Sequence, residues 1–125
     1  MLKYYENDYA KYFLKDQILH ITYKSGVCID LKAAVQIVKD RLVFHEGLFH
    51  PVLCDVRGVT EVNKSARDYL ALEGSTLINA VAFIIESPVS KILSQFYLKT
   101  SNPPIPTKSF EQISEALNYL NEYLP

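Results

Sequence analysis

Asp55, Arg57 and Gly58 stand together at the end of the apolar run Val52-Leu53-Cys54. A carboxylate there can bind a ligand, or it can accept hydrogen bonds from the loop that follows. Arg57, two residues on, projects to the same side of an extended chain and can pair with it, and a charge leaving water needs such a partner. Gly58 is expected to supply a turn conformation that other residues resist. Asn63, Lys64 and Ser65 then stand where a helical pattern begins. Unpaired backbone N–H groups in a first helical turn favour an anion, and Lys64 and Arg67 flank the serine. A phosphate on Ser65 would add roughly 1.5–2 negative charges to that corner. The plain alternative is that serine suits helix starts and does nothing more.

Two further constellations invite chemistry. Ser87 before Pro88, and Ser109 before Gln112, read as helix caps. With Asn63 to Ser65 they would set three helix starts on one edge of a parallel sheet, a rim suited to a small anion, though each is also an ordinary cap. His45, Glu46, His50 and Cys54 match no standard zinc spacing. Cys54 lies within an apolar run, which favours a small hydrophobe over a nucleophile. No Ser-His-Asp set, carboxylate pair, phosphate loop or metal motif is recognisable. The chain therefore reads as non-catalytic, with no catalytic residue, no metal and no cofactor expected.

These residues must be positioned by one domain, since 125 residues is the span of a single core. Hydrophobic residues make up 49% and the net charge is −1, with no basic patch. That balance argues against nucleic acid and against an anionic membrane. No apolar run approaches the roughly 18 residues of a membrane span, and the N-terminus lacks the pattern of a signal peptide. A cytoplasmic protein is the expectation, with Cys28 and Cys54 as reduced thiols in or near the core.

Residues 1–8 are polar and tyrosine-rich and read as a loose arm. Tyr9 to Lys15 and Ile18 to Tyr23 alternate in polarity and form a hairpin across Asp16-Gln17, with the register left open by an unfavoured turn. Asp30 caps a helix whose face is Leu31, Ala34, Val35, Val38 and Leu42, ending at Gly47. After the central strand, Asn63 caps a helix with Ala66, Tyr69 and Leu70 inward, and Gly74 ends it. Ala80 to Ile85 is a strand covered on both faces. Val89, Ile92, Leu93 and Phe96 make the inner face of the next helix. Ile105 to Thr107 is a short edge strand, and Ile113, Ala116, Leu117, Leu120 and Leu124 line the last helix. The order β-β-α-β-α-β-α-β-α predicts an α/β fold: a mixed sheet of about five strands with four helices.

This order resembles the STAS family, whose type members are the sporulation anti-sigma-factor antagonists with the SpoIIAA-like fold. The likeness in element order covers nearly the whole chain. In residues it is confined to about Asp55 to Leu70. Those antagonists open a helix with Asp-Ser-Ser-Gly and are phosphorylated on the second serine by a partner kinase. Here Asn63 falls on the aspartate, Lys64 on the first serine, Ser65 on the second and Ala66 on the glycine, so only the serine is kept. The resemblance implies a bacterial regulatory module that binds a protein partner through the Asp55–Leu70 loop and helix, with Ser65 as phosphoacceptor. A kinase, a regulatory protein or a second copy of the chain would be the partner, and the nine tyrosines suit such an interface. The alternative is a sensor of an anion or a lipid-like molecule. Its pocket would lie between that loop and the helix starting at Ser87, and the site set would be Asp55, Arg57, Gly58, Asn63, Lys64, Ser65 and Ser87.

Overall fold

The computed structural model describes residues 4–86, 88–101 and 103–124, without the side chains of residues 89, 90, 96, 99 and 100. Among them the chain runs β1 (Tyr4–Glu6), β2 (Ala10–Lys15), β3 (Ile18–Tyr23), β4 (Val27–Ile29), α1 (Leu31–His45), β5 (His50–Asp55), β6 (Val59–Val62), α2 (Lys64–Leu72), a 3₁₀ turn (Glu73–Ser75), β7 (Ile78–Ile84), α3 (Pro88–Thr100), β8 (Thr107–Phe110) and α4 (Ile113–Asn121). Six strands form one mixed sheet in the order β1-β2-β3-β5-β7-β8. The first three pair antiparallel. Pairings from β3 to β8 are parallel, as strands joined through helices must be. The expected α/β fold with a mixed sheet and four helices is what forms.

Two layers of helix enclose the sheet. Alternation along β5 sends Val52 and Cys54 to the side holding α1, and Leu53 to the side holding α4. On β7 the small Ala80 and Ala82, with Ile84, meet Ala116 and Leu120 of α4. Small residues on the strand let that helix sit close, and each buried Leu or Ile adds about 1.5–3 kcal/mol. Val81 and Phe83 point the other way and remain only partly buried.

Several expectations change. Tyr4–Glu6 is not a loose arm; it pairs with β2, and Asn7 fixes the entry to β2 by accepting from the Tyr9 and Ala10 amides and donating to Tyr12 and Asp40. The hairpin closes with Lys15 opposite Ile18, and both turn residues have positive φ, Asp16 at 52° and Gln17 at 68°. That is the mirror-image turn a right-twisted hairpin needs, built without glycine. Two short strands, β4 and β6, pair parallel in a small second sheet. At three and four residues they were too short to show a period.

The buried stripe of α1 is Ala33, Ala34, Ile37, Val38, Arg41, Phe44 and His45, so Leu31 and Val35 face out. An arginine and a histidine inside the stripe disguised it. The helix ends at Glu46 and Gly47, both with positive φ. On α3, Ile92 is 64% exposed while Leu93 packs inward; the side chains of Val89 and Phe96 lie outside the described residues. Ser109 belongs to β8 and Gln112 is the N-cap residue of α4, without a side-chain cap bond. The edge strand therefore begins at Thr107, later than expected, and the capping box does not form. Prolines at 103, 104 and 106 have no N–H to give to a ladder, and only the Pro106 carbonyl joins β7, accepting from the Val81 amide at 2.9 Å.

Candidate functional site

Between the sheet and helices α1, α2 and α3 lies a cavity of about 110 Å³. Its floor is Val52 and Cys54 of β5 with Val81 and Phe83 of β7, and its walls include Ile37 and Val38, Leu70, and Leu93. The reason lies in β7. The strand gives its small residues to α4, which closes tightly, and its large ones to the opposite side, where α3 stands over them without filling the space. Nearly all of the lining is apolar, as small-molecule sites are.

Few polar groups reach the cavity. Arg41 is among them, although it is only 2% exposed. Its Nη1 donates to Nε2 of His45 at 2.6 Å and to the Thr76 carbonyl at 3.0 Å, and its Nη2 donates to the Gly74 carbonyl at 3.0 Å. A guanidinium has no acceptor, so His45 Nε2 must be the unprotonated nitrogen. Nδ1 then donates to the Leu48 carbonyl at 3.0 Å. Burial, then the neighbouring guanidinium, brings the His45 pKa down to about 4. Burial also brings Arg41 down to about 10, which leaves it charged at neutral pH. Its three acceptors are all neutral, and it forms no ion pair among the described residues.

The Cys54 thiol, pushed up to about 12 mainly by burial, stays protonated and is no nucleophile at neutral pH. Cys28 is exposed, contrary to the expectation of a thiol in or near the core, with its sulfur 3.3 Å from Thr60 Oγ1. His45 and His50 lie 5.4 Å apart between ring centres, but both nitrogens of His45 are engaged as above. Among the described residues no three His, Cys, Asp or Glu side chains gather as metal ligands.

Asp55 and Arg57 do pair. Arg57 Nε and Nη2 meet the two carboxylate oxygens at 2.9 and 2.7 Å, and the Arg57 amide donates to Oδ1 at 3.1 Å. The acid ties down its own loop. Gly58 has a different role from the one expected. Its φ is not in the left-handed region; instead a Cβ there would come within 2.6 Å of the Lys24 carbonyl oxygen and 2.8 Å of that of Tyr23. Its amide neighbours close this approach, since Gly26 and Val27 both donate to the Gly58 carbonyl. Asn63 caps α2 by accepting from the Ala66 amide at 2.9 Å. Lys64 pairs with Asp68 at 2.7 Å, and Ser65 is exposed in the first turn. Ser87 lies outside the described residues, and with Ser109 in a strand the three-start rim is not assembled.

None of Asp55, Arg57, Gly58, Asn63, Lys64 and Ser65 lines the cavity. The same stretch reaches it through Val56, Val59, Val62, Arg67 and Leu70 instead. Arg41 escaped the sequence reading because a lone arginine in a helix reads as solvated. Its signal was the spacing Ile37, Arg41, Phe44, which sets it within an apolar stripe.

The family described as Domain of unknown function (DUF7793) matches residues 12–124. No curated protein matches the chain. Among solved structures, an uncharacterized protein of the DUF3478 family from Shewanella loihica PV-4, with a SpoIIAA-like fold, superposes with a TM-score of 0.64. It is 14% identical, and the match covers 93% of this chain and 98% of that one. The fold is therefore SpoIIAA-like, as the element order indicated. No helix among the described residues is long and apolar enough to cross a membrane.

Proposed function

Since the chain belongs to the DUF7793 family and has a SpoIIAA-like fold, we propose that it works by binding rather than by catalysis, and that what it binds is a small, largely apolar molecule held between the sheet and α1 to α3. The observation that carries this reading is the apolar cavity of about 110 Å³ beneath three helices. Empty apolar space forfeits contacts on every lining atom, and a cavity of this order accommodates a compact hydrocarbon. Among the described residues no activated nucleophile or acid–base pair faces it. Calorimetric titration with 1-octanol tests the reading. Saturable one-site binding, a negative heat-capacity change and a raised melting temperature are expected. No saturable heat and no thermal shift up to the solubility limit would overturn it.

A second reading is favoured by the exposure of Ser65 in the first turn of α2 and of Leu72 at the end of the same helix. On this reading the Asp55–Leu70 loop and helix dock a regulatory protein in the cytoplasm, with Ser65 as the acceptor for a partner kinase and a second copy of the chain as another candidate occupant. Lys64 is already paired with Asp68, so a phosphate would have to compete for it. Exposure to a kinase-containing lysate followed by intact-mass measurement is the test. A phosphate on Ser65 supports the switch; an unmodified mass ends it.

A further inference from the structure

We propose that the cavity's ligand is an anionic amphiphile, an apolar chain ending in a carboxylate, and that Arg41 receives the head group; this rests on the reading of the cavity as a ligand site. Arg41 is buried, lines the cavity and has no carboxylate partner among the described residues. A guanidinium carries five N–H donors. Three are spent, on His45 Nε2 and on the carbonyls of Thr76 and Gly74. Among the described residues the other two, Nε–H and one Nη2–H, have no acceptor, which leaves the guanidinium two donors to offer a carboxylate.

The surroundings do not supply the missing charge. No aspartate or glutamate is among the described residues that line the cavity. Asp40, next to Arg41 in sequence, is engaged by Asn7 and Gln36 instead. The bonds to His45, Thr76 and Gly74 fix the guanidinium rather than neutralise it, which lowers the ordering cost of binding an anion there. The hydrophobic floor at Val52, Val81 and Phe83 takes the chain. A buried cation beside an apolar cavity favours a ligand that brings both a negative head and a hydrocarbon body.

The test compares octanoate, 1-octanol and acetate on the full chain at pH 7, by calorimetry and thermal shift. Octanoate is expected to bind at least about tenfold more tightly than 1-octanol, the gain typical of charge-assisted hydrogen bonds, with acetate far weaker than either. Arg41→Gln, which keeps an N–H donor but no charge, is expected to remove the preference for octanoate and keep 1-octanol binding. Equal affinities for octanoate and 1-octanol in the unaltered protein would overturn the head-group assignment and leave the apolar site standing. Acetate binding as tightly as octanoate would overturn the amphiphile. Binding of none of the three would remove both this inference and the reading beneath it. The comparison in the unaltered protein decides even if the variant does not fold.

Discussion

Nε2 of His45 lies 2.6 Å from the guanidinium of Arg41 and accepts from it, so the imidazole is held neutral with its proton on Nδ1. Protonating it would set two cations side by side in the core. The His45 pKa of about 4 lies below the ordinary 6.5. Between those values the unfolded chain takes up a proton that the folded chain refuses. Stability is therefore complete above about pH 6.5 and falls as pH drops toward 4, by about 3 kcal/mol in all. His20 shifts the same way through burial, so a variant must isolate His45. His45→Gln can keep both hydrogen bonds without titrating. Urea melts from pH 7 to 4 are expected to show a smaller loss in His45→Gln; parallel losses would contradict the assignment.

Gly58 is where the loop after β5 crosses the end of β3. Gly58→Ala would drive a methyl into the Lys24 and Tyr23 carbonyls at 2.6 and 2.8 Å. An expected loss of about 2–3 kcal/mol in a denaturant melt follows from such overpacking. A change below about 0.5 kcal/mol would place it with ordinary surface substitutions and refute the close approach.

The β2–β3 turn points the other way. Asp16 and Gln17 hold positive φ without glycine, where L-residues are strained by about 1–2 kcal/mol each. The double variant Asp16→Asn, Gln17→Gly supplies the residues that this turn prefers. A gain of about 1 kcal/mol is expected, net of the entropy glycine adds to the unfolded chain. The bond from His50 Nδ1 to the Gln17 carbonyl uses backbone and survives the change.

Asp55→Asn separates the loop from the cavity. The pair with Arg57 is partly exposed, so its loss should cost about 0.5–1 kcal/mol. Because Asp55 does not line the cavity, affinity for 1-octanol should stay within about twofold. A large loss of binding would return the site to the Asp55 corner.

These contrasts mark what the residues revealed in advance. The alternating polarity of Tyr9 to Lys15 and Ile18 to Tyr23, the Asp30 and Asn63 caps, and the Asp55–Arg57 pair were legible because each is a local pattern with a local cause. The rest depends on what meets across space. Arg41 and His45 sit in a core stripe that hydropathy assigns to solvent. The placement of β4 against β6 depends on Gly58 reaching the end of β3. The cavity arises from a difference between the two faces of β7, Ala80 and Ala82 against Val81 and Phe83, which reads along the chain as one apolar run. Ser65 drew notice through its place at a helix start, yet the space for a ligand lies behind that helix.

A ligand held between the sheet and α1 to α3 must touch one core of this protein and spare the other. Methyl NMR with 1-octanol separates the two, because the untouched core is the control. Titration is expected to shift the methyls of Ile37, Val52, Val81 and Leu93, which line the cavity, and to leave Ile84 and Leu120, packed between the sheet and α4, unmoved. Shifts confined to Ile84 and Leu120, or none at all, would contradict it.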